Sequence, residues 1–380
     1  MITGYNRPTV ANVSLDAIVS NYKKIKNYIK SGTMIYAVVK ANAYGHGAIE
    51  VSKALAEAGA DAFAVAISNE GMELREAGIE NPILIMGLTD ANHAALQSEM
   101  DLSTTFMTTS WLEQAKKNLI VEKAEKPLKV HMKVDSGMGR IGVRTIEEAQ
   151  GAIDYLAENK EYFYLEGIFT HYATADSKEA DQVKKRESQS EFFQNFKDAI
   201  DLSDFGHKVI FHQSNSAMTL YQPEETLDAI RPGSILYGLD PSMGAMDSPM
   251  ELEPTLSLET ELVNVKQMHA GDTISYGATY TAEEDEWIGT LPIGYADGWL
   301  RNYSGMEVLV EGKRTPIVGR ICMDQCMIHL PKSYPKGTTV TLVGKNLGAS
   351  LTMEDVAEYS GTIGLEVSCL ISNRVPRIYD

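Results

Sequence analysis

Lys40 ends the run Met34-Ile-Tyr-Ala-Val-Val-Lys40, a short stretch rich in strand formers. A lysine there, beside apolar strand residues, is poorly hydrated. Poor hydration disfavours the ammonium and yields a nucleophilic amine, which can form an imine with a carbonyl compound. The competing reading is a lysine that ends a strand by reaching water. Two further stretches weigh against it. His212-Gln-Ser-Asn-Ser216 and Arg231-Pro-Gly-Ser234 also end strand-like runs. Gly233 lets backbone approach an anion closely, and Ser216 and Ser234 offer hydroxyl and amide donors. Lys40 with these loops points to a phosphate-bearing ligand that carries an aldehyde.

Other candidates are weaker alone. Lys133 and Asp135 alternate in His131-Met-Lys-Val-Asp135, so both are expected to point inward from one strand. A buried lysine must find a partner or lose its charge, and an ion pair with Asp135 is the structural alternative. His171 sits at another strand end, where catalysis and hydrogen-bond support both remain open. Tyrosines stand beside glycines in Ile274-Ser-Tyr-Gly-Ala-Thr-Tyr280 and Ile293-Gly-Tyr-Ala-Asp-Gly298. Either tyrosine could move a proton, although sheet aromatics beside turns look the same.

The elements that must position these groups fall into two parts. Ser14 can cap a helix with Ile18, Tyr22, Ile25 and Ile29 on one face. Strand-like runs follow at 34–40, 61–67, 82–87, 102–106, 129–135, 164–170, 208–214 and 227–231, with helical patterns between most of them. Eight strand–helix repeats predict a parallel sheet closed into a TIM-type (β/α)8 barrel over residues 10–240. An open doubly wound sheet is the rival, and no G-x-G-x-x-G turn follows the first strand. Function in such a barrel sits at the C-terminal strand ends, where Lys40 and the two loops lie. Pro241 to Pro249 is turn-rich. Beyond it, strand signals at 289–292, 306–310, 316–330 and 338–343 predict a mostly-β domain over 241–380, joined by an N-terminal strand at 1–9; the run 9–13 could also pair with it.

The chain has 380 residues and a formal net charge of −18, which disfavours a nucleic-acid surface. No apolar run reaches the roughly 18 residues of a membrane span, and the start lacks a secretory pattern, so a cytoplasmic enzyme is expected. The three cysteines, Cys322, Cys326 and Cys369, form no C-x-x-C pair, so neither disulfides nor a metal are expected.

The run Ala37-Val-Val-Lys-Ala-Asn-Ala-Tyr-Gly-His-Gly47 resembles the cofactor-lysine motif of the alanine racemases. Matches continue in family order through 133–140, 170–176, 215–216, 231–238, 275–280, 293–298 and 319–327. The resemblance implies a homodimeric isomerase that interconverts L- and D-alanine with pyridoxal 5′-phosphate, supplying D-alanine for peptidoglycan. It implies that Lys40 holds the cofactor as an internal aldimine and is one acid/base, with Tyr276 of a partner subunit on the opposite face. Tyr44, Ser216, Gly233 and Ser234 would hold the phosphate. Arg231 would face the pyridine nitrogen, and His171 would lie near the ring. Arg140 would contact the cofactor's phenolic oxygen and the substrate carboxylate, as would the Met323 backbone for the carboxylate. Lys133 would carry a carbamate. Asp176, Tyr295, Arg301 and Ile363 would line the entrance. One departure stands out: Gly364-Leu365 replaces the family's usual Asn-Tyr, whose tyrosine contacts the phosphate. The resemblance leaves a broader substrate range, such as serine, and a decarboxylase of the same plan as alternatives. A cofactor-binding protein without catalysis and a Schiff-base aldolase are further ones.

Overall fold

The computed structural model describes residues 3–380, and they group into two compact units. One comprises residues 18–43 and 48–253. The other comprises the residues up to Ala17, the tetrapeptide 44–47 and residues 254–380.

In the first unit, eight parallel strands close a barrel: β2 (Met34–Val38), β3 (Ala62–Val65), β4 (Ile83–Leu88), β5 (Leu102–Phe106), β6 (Leu128–Lys133), β7 (Phe163–Phe169), β8 (Ile210–Ser214) and β9 (Ala229–Ile230). Closure is made where β2 pairs with β9, Met34 opposite Ala229 and Ile35 opposite Ile230. Helices cover the outside, so both faces of the strands are buried, yet polar side chains such as Ser103, His131 and His212 are buried on them among the apolar ones. Phe106, Val130, Leu165 and Ile168 pack against helix residues Leu112, Ile153 and Phe193 in one buried cluster. In the first helix, Ile18, Tyr22 and Ile25 are fully buried.

All eight expected strands are present, with two boundary corrections that matter. β2 stops at Val38, so Lys40 stands just past the strand rather than at its last position. β6 stops at Lys133, so Asp135 lies beyond it.

The second unit is built around a mixed sheet. Its strand β1 (Val10–Val13) runs antiparallel to Leu256–Glu261 and parallel to Arg377–Tyr379. The N-terminal strand thus begins at Val10, after the expected segment 1–9, whose first two residues lie outside the described residues. The expected run 316–330 is two strands, Lys313–Val318 and Cys326–Leu330, paired with Ile317 opposite Ile328. Gly319, with φ of 69°, starts the turn between them. Short helices at Met353–Ser360 and Gly364–Leu370 lie beyond the last expected strand and were not expected.

Among the described residues, no helix is long and apolar enough to cross a membrane.

Candidate active site at the barrel mouth

Lys40 begins a turn of unusual backbone. Ala41, Asn42, Ala43 and Tyr44 all have φ between 51° and 55°, the left-handed helical region. L-residues pay roughly 1–2 kcal/mol each to adopt it. Local bonds hold the turn: the Ala43 amide donates to Val39 (2.8 Å), and the Ala48 amide donates to Asn42 Oδ1 (2.8 Å). The Ala41 amide donates to Glu70 Oε1 at 2.6 Å.

The loop after β9 lies beside this turn. The Val38 amide donates to Pro232 O (3.0 Å), and the Tyr237 hydroxyl donates to Val38 O (2.9 Å). The end of β2 that leads to Lys40 is thus bonded to the loop that carries Gly233 and Ser234, both buried. Ser216 joins them, its Oγ accepting from the Gly233 amide at 2.8 Å. The expected phosphate loops are thus one assembly, but Ser216 Oγ serves there as an acceptor rather than only as a donor. Ser214, two residues earlier on β8, is fully buried, and its hydroxyl has no hydrogen-bond partner among the described residues.

Arg231 is buried and fully engaged. It donates to His212 Nδ1 (2.8 Å) and to the carbonyls of His212 (3.1 Å), Thr170 (2.6 Å) and Gln213 (3.3 Å). Desolvation lowers its pKa to about 9, with Arg140 adding to the effect, so it remains a cation at neutral pH. His212 lies between the rings of Tyr36 and Phe169, stacked on both. Its Nε2 is 3.0 Å from His131 Nδ1, and His131 Nε2 is 2.8 Å from Glu166 Oε2. Ser103 Oγ also donates to Glu166 (2.5 Å). The ends of this chain dictate its protons. A carboxylate accepts from His131, which accepts from His212, which accepts from Arg231. Both imidazoles are therefore neutral. Desolvation and the Arg231 charge hold the His212 pKa well below its usual value. Burial alone would raise the Glu166 carboxyl, but the hydrogen bonds from His131 and Ser103 outweigh it and bring it to about 2.

Lys133 does not form the ion pair with Asp135. Its Nζ donates to Val134 O (2.7 Å) and lies over the Phe169 ring, whereas Asp135 Oδ1 accepts from the amides of Gly137 and Gly139. Past the strand end, a carboxylate can turn back onto its own glycine loop and leave the lysine. Burial, with the nearby Arg231 charge, lowers Lys133 to about 7. His171 is half-buried, and its carbonyl accepts from Gln189 (3.1 Å). Desolvation and then the charges of Arg231, Lys133, Arg140 and Lys40 push its pKa well down. Four cations therefore converge at the mouth, and exposed Arg140 is the outermost. A cluster of this kind favours anions.

Tyr276, Met323, Tyr295, Arg301, Ile363 and Leu365 belong to the other unit, as does Tyr44; Asp176 is an exposed residue of the barrel unit. Tyr276 is 70% exposed and Met323 53%. Tyr276 is held on a tight loop, with Ser275 at φ 69° and Gly277 at φ 75°. Ser275 Oγ donates to Arg320 O (2.5 Å), and the Tyr295 and Ala296 amides donate to the carbonyls of Cys322 (3.1 Å) and Met323 (3.0 Å). The loops of Tyr276, Tyr295 and Met323 are thus joined. Gly294 is required there, because a Cβ would collide with the Cys322 and Met323 carbonyls. Asp297 is fully buried at its side chain and anchors this loop through Arg7 (2.7 Å) and Arg374 (3.2 Å). Leu365 is half-buried in the helix Gly364–Leu370.

Glu70, Glu166 and Asp297 were missed from sequence. Glu70 reads as an ordinary helix-start acid. His131 and Lys133, two apart, did mark a polar face inside a barrel strand, which was the available signal for Glu166.

Comparison with known proteins adds a second line. Residues 13–241 match the family model "Alanine racemase, N-terminal domain", and residues 255–379 match "Alanine racemase, C-terminal domain". The chain is similar to an alanine racemase of Ligilactobacillus salivarius, 48% identical over 379 residues and the full length of both. Among solved structures it is similar to the alanine racemase from E. faecalis, with a TM-score of 0.93, 45% identity and full coverage of both chains. It is also similar to a histidine racemase from Leuconostoc mesenteroides, with a TM-score of 0.91, 34% identity, and 100% and 99% of the two chains covered.

Proposed function

We propose a reaction for this chain from one premise: the chain belongs to the alanine racemase family. It is a racemase that interconverts L- and D-alanine and so provides the D-alanine used in peptidoglycan. The cofactor is pyridoxal 5′-phosphate, and the residues of the barrel mouth fit it. Lys40 would supply the amine for its aldehyde, the cation cluster suits an anionic cofactor and a substrate carboxylate, and the Ser214 hydroxyl is a buried polar group without a protein partner among the described residues. When bound, that cofactor supplies the electron sink that makes an amino acid's α-proton removable.

The chain's own residues divide the remaining work. Lys40 takes or returns the α-proton on one face. Tyr276, contributed by a second copy of the chain, serves the opposite face. Ser216, Gly233, Ser234 and Tyr44 hold the phosphate, and Arg140 and the Met323 backbone orient the substrate carboxylate. Arg231, a permanent cation bonded to His212, withholds a second proton from the pyridine nitrogen. That restriction limits side reactions at the ring. His171, held neutral by its surroundings, lies by the ring without adding charge. Lys133, with a pKa near 7, is available as a free amine to take up carbon dioxide as a carbamate, exchanging a buried cation for an anion that pairs with Arg140. Asp176, Tyr295, Arg301, Ile363 and Leu365 line the entrance. The working enzyme is a cytoplasmic homodimer.

Full-length similarity to an alanine racemase carries this reading. The test offers the purified, yellow protein both enantiomers of alanine, serine and histidine. Conversion of alanine well above the others supports it; preference for histidine would move the chain to the specificity of its Leuconostoc relative.

A further inference from the structure

Glu70 is placed to do more than start a helix. It is the third residue of the helix Ser68–Glu76, where an acidic side chain commonly returns to cap the preceding amides. One oxygen does so: Oε2 accepts from the amides of Ala66 (2.8 Å) and Ile67 (3.3 Å). A cap needs nothing further. The other oxygen, Oε1, crosses to the neighbouring strand's end and accepts from the Ala41 amide at 2.6 Å, the shortest of the three bonds.

Ala41 follows Lys40 directly and is the first of four consecutive left-handed residues. A strained turn persists only where its surroundings over-determine it. Its restraints include the Ala43 to Val39 bond, the Asn42 to Ala48 bond, the contact of His46 Nδ1 with Tyr44 O (3.1 Å) and Glu70. On the N-terminal side of Lys40, β2 fixes the backbone through the Val39 amide to Ala64 O (2.9 Å). On the C-terminal side, the first amide is fixed by Glu70 alone. The restraints come from β3 and from the helix that follows it, so one strand–helix segment holds the backbone on both sides of Lys40.

We infer that Glu70 is a positioning residue for Lys40: its carboxylate sets the direction in which the Lys40 side chain leaves the backbone by bonding the amide of Ala41. The inference rests on the reading of Lys40 as an acid/base. Ionised carboxylates make the stronger bonds to amides, and both oxygens are acceptors. Glutamine keeps the shape but offers one acceptor and two N–H donors. Glu70→Gln must therefore turn an N–H toward Ala41 or toward Ala66 and Ile67.

The experiment compares holoenzyme of the wild type, Glu70→Gln, Glu70→Asp and Tyr276→Phe, using L- and D-alanine deuterated at the α-carbon. The two enantiomers have equal free energy, so kcat/KM must fall equally for both. Glu70→Gln is expected to lower it about 10-fold, the scale of a slightly misplaced reacting group. The discriminating readout is the primary isotope effect. For the enantiomer whose proton Lys40 removes, it rises; for the other it falls. Tyr276→Phe should shift the pair in the opposite sense. Glu70→Asp, too short to span both loops, should shift them as Glu70→Gln does. Lower thermal stability with wild-type isotope effects in both Glu70 variants would overturn the inference and leave Glu70 a helix cap. If neither Glu70 variant yields folded holoenzyme, Ser68→Ala sets the comparison: it loosens the same helix start by removing the hydroxyl that accepts from Gln97 (3.0 Å) and leaves Glu70 in place. The same loss in Ser68→Ala overturns a special role at Lys40, and folded Ser68→Ala holoenzyme supports it. Unchanged isotope effects in Tyr276→Phe would instead overturn the two-face reading itself.

Discussion

Arg231 Nη1 lies 2.8 Å from His212 Nδ1, and through that one bond a cation at the barrel mouth is tied to a carboxylate in the barrel interior. Because Arg231 can only donate and Glu166 only accept, the two histidines between them have no freedom of tautomer. A protonated His131 would force His212 to point an N–H at Arg231. The chain thus protects the charge and orientation of the group expected beside the cofactor ring.

The stability of this chain should depend on pH in a defined window. The Glu166 carboxyl is depressed from its usual 4.5 to about 2 in the folded protein. Its stabilisation is therefore complete above about 4.5 and disappears as pH falls through the depressed folded value. Glu166→Gln should unfold at lower urea concentration at pH 7, and its deficit should shrink below pH 4. A deficit independent of pH would show that the charge is not what matters.

Lys133 should behave in the opposite direction. Its pKa falls from 10.5 to about 7 on folding, so the buried ammonium destabilises the fold fully below pH 7, and the penalty vanishes above about 10.5. In buffer free of carbon dioxide, Lys133→Met should raise stability near pH 6.5 by about 1–4 kcal/mol, the usual gain from replacing a buried charge. Near pH 10.5 the gain should be small. Supplying 13C-bicarbonate to the wild type should produce a carbamate carbon signal that Lys133→Met lacks.

Arg231→Glu should raise transamination relative to racemisation. The guanidinium, at about 9, is still charged under assay conditions and would oppose protonation of a pyridine nitrogen placed beside it. A carboxylate there would favour it. Keto-acid formation is measured per enantiomer converted, alongside thermal unfolding, because the variant also loses four donated bonds to His212, Thr170 and Gln213. An unchanged product ratio in folded protein would remove Arg231 from this role.

Much of this was legible in the sequence, and the reasons for the rest are physical. The eight barrel strands were readable because they are short runs of strand formers with helical patterns between most of them, as a parallel barrel requires. Lys40, Arg231 and Ser216 were readable because they stand at the ends of those runs. The left-handed turn at 41–44 was not, since Ala-Asn-Ala-Tyr has no glycine to announce positive φ. Nor was the freedom of Lys133 from Asp135, which depends on β6 ending two residues early. The joining of residues 44–47 to the β-rich unit is a long-range grouping that no local pattern carries.

Leu365→Tyr should tighten cofactor binding. Leu365 has no hydroxyl, and the buried Gly364 before it adds no side chain. A tyrosine offers one further hydrogen bond, worth about 1 kcal/mol, or roughly fivefold in affinity. Cofactor titration of both proteins by absorbance checks this; equal affinities would mean that the departure at 364–365 leaves retention untouched.

The most direct test places the purified holoenzyme with L-alanine, and separately with D-alanine, in deuterium oxide. Each enantiomer should proceed to the same equal mixture, and the newly formed enantiomer should carry solvent deuterium at its α-carbon. Protein that binds pyridoxal phosphate yet leaves both alanine enantiomers unchanged would contradict the proposed function.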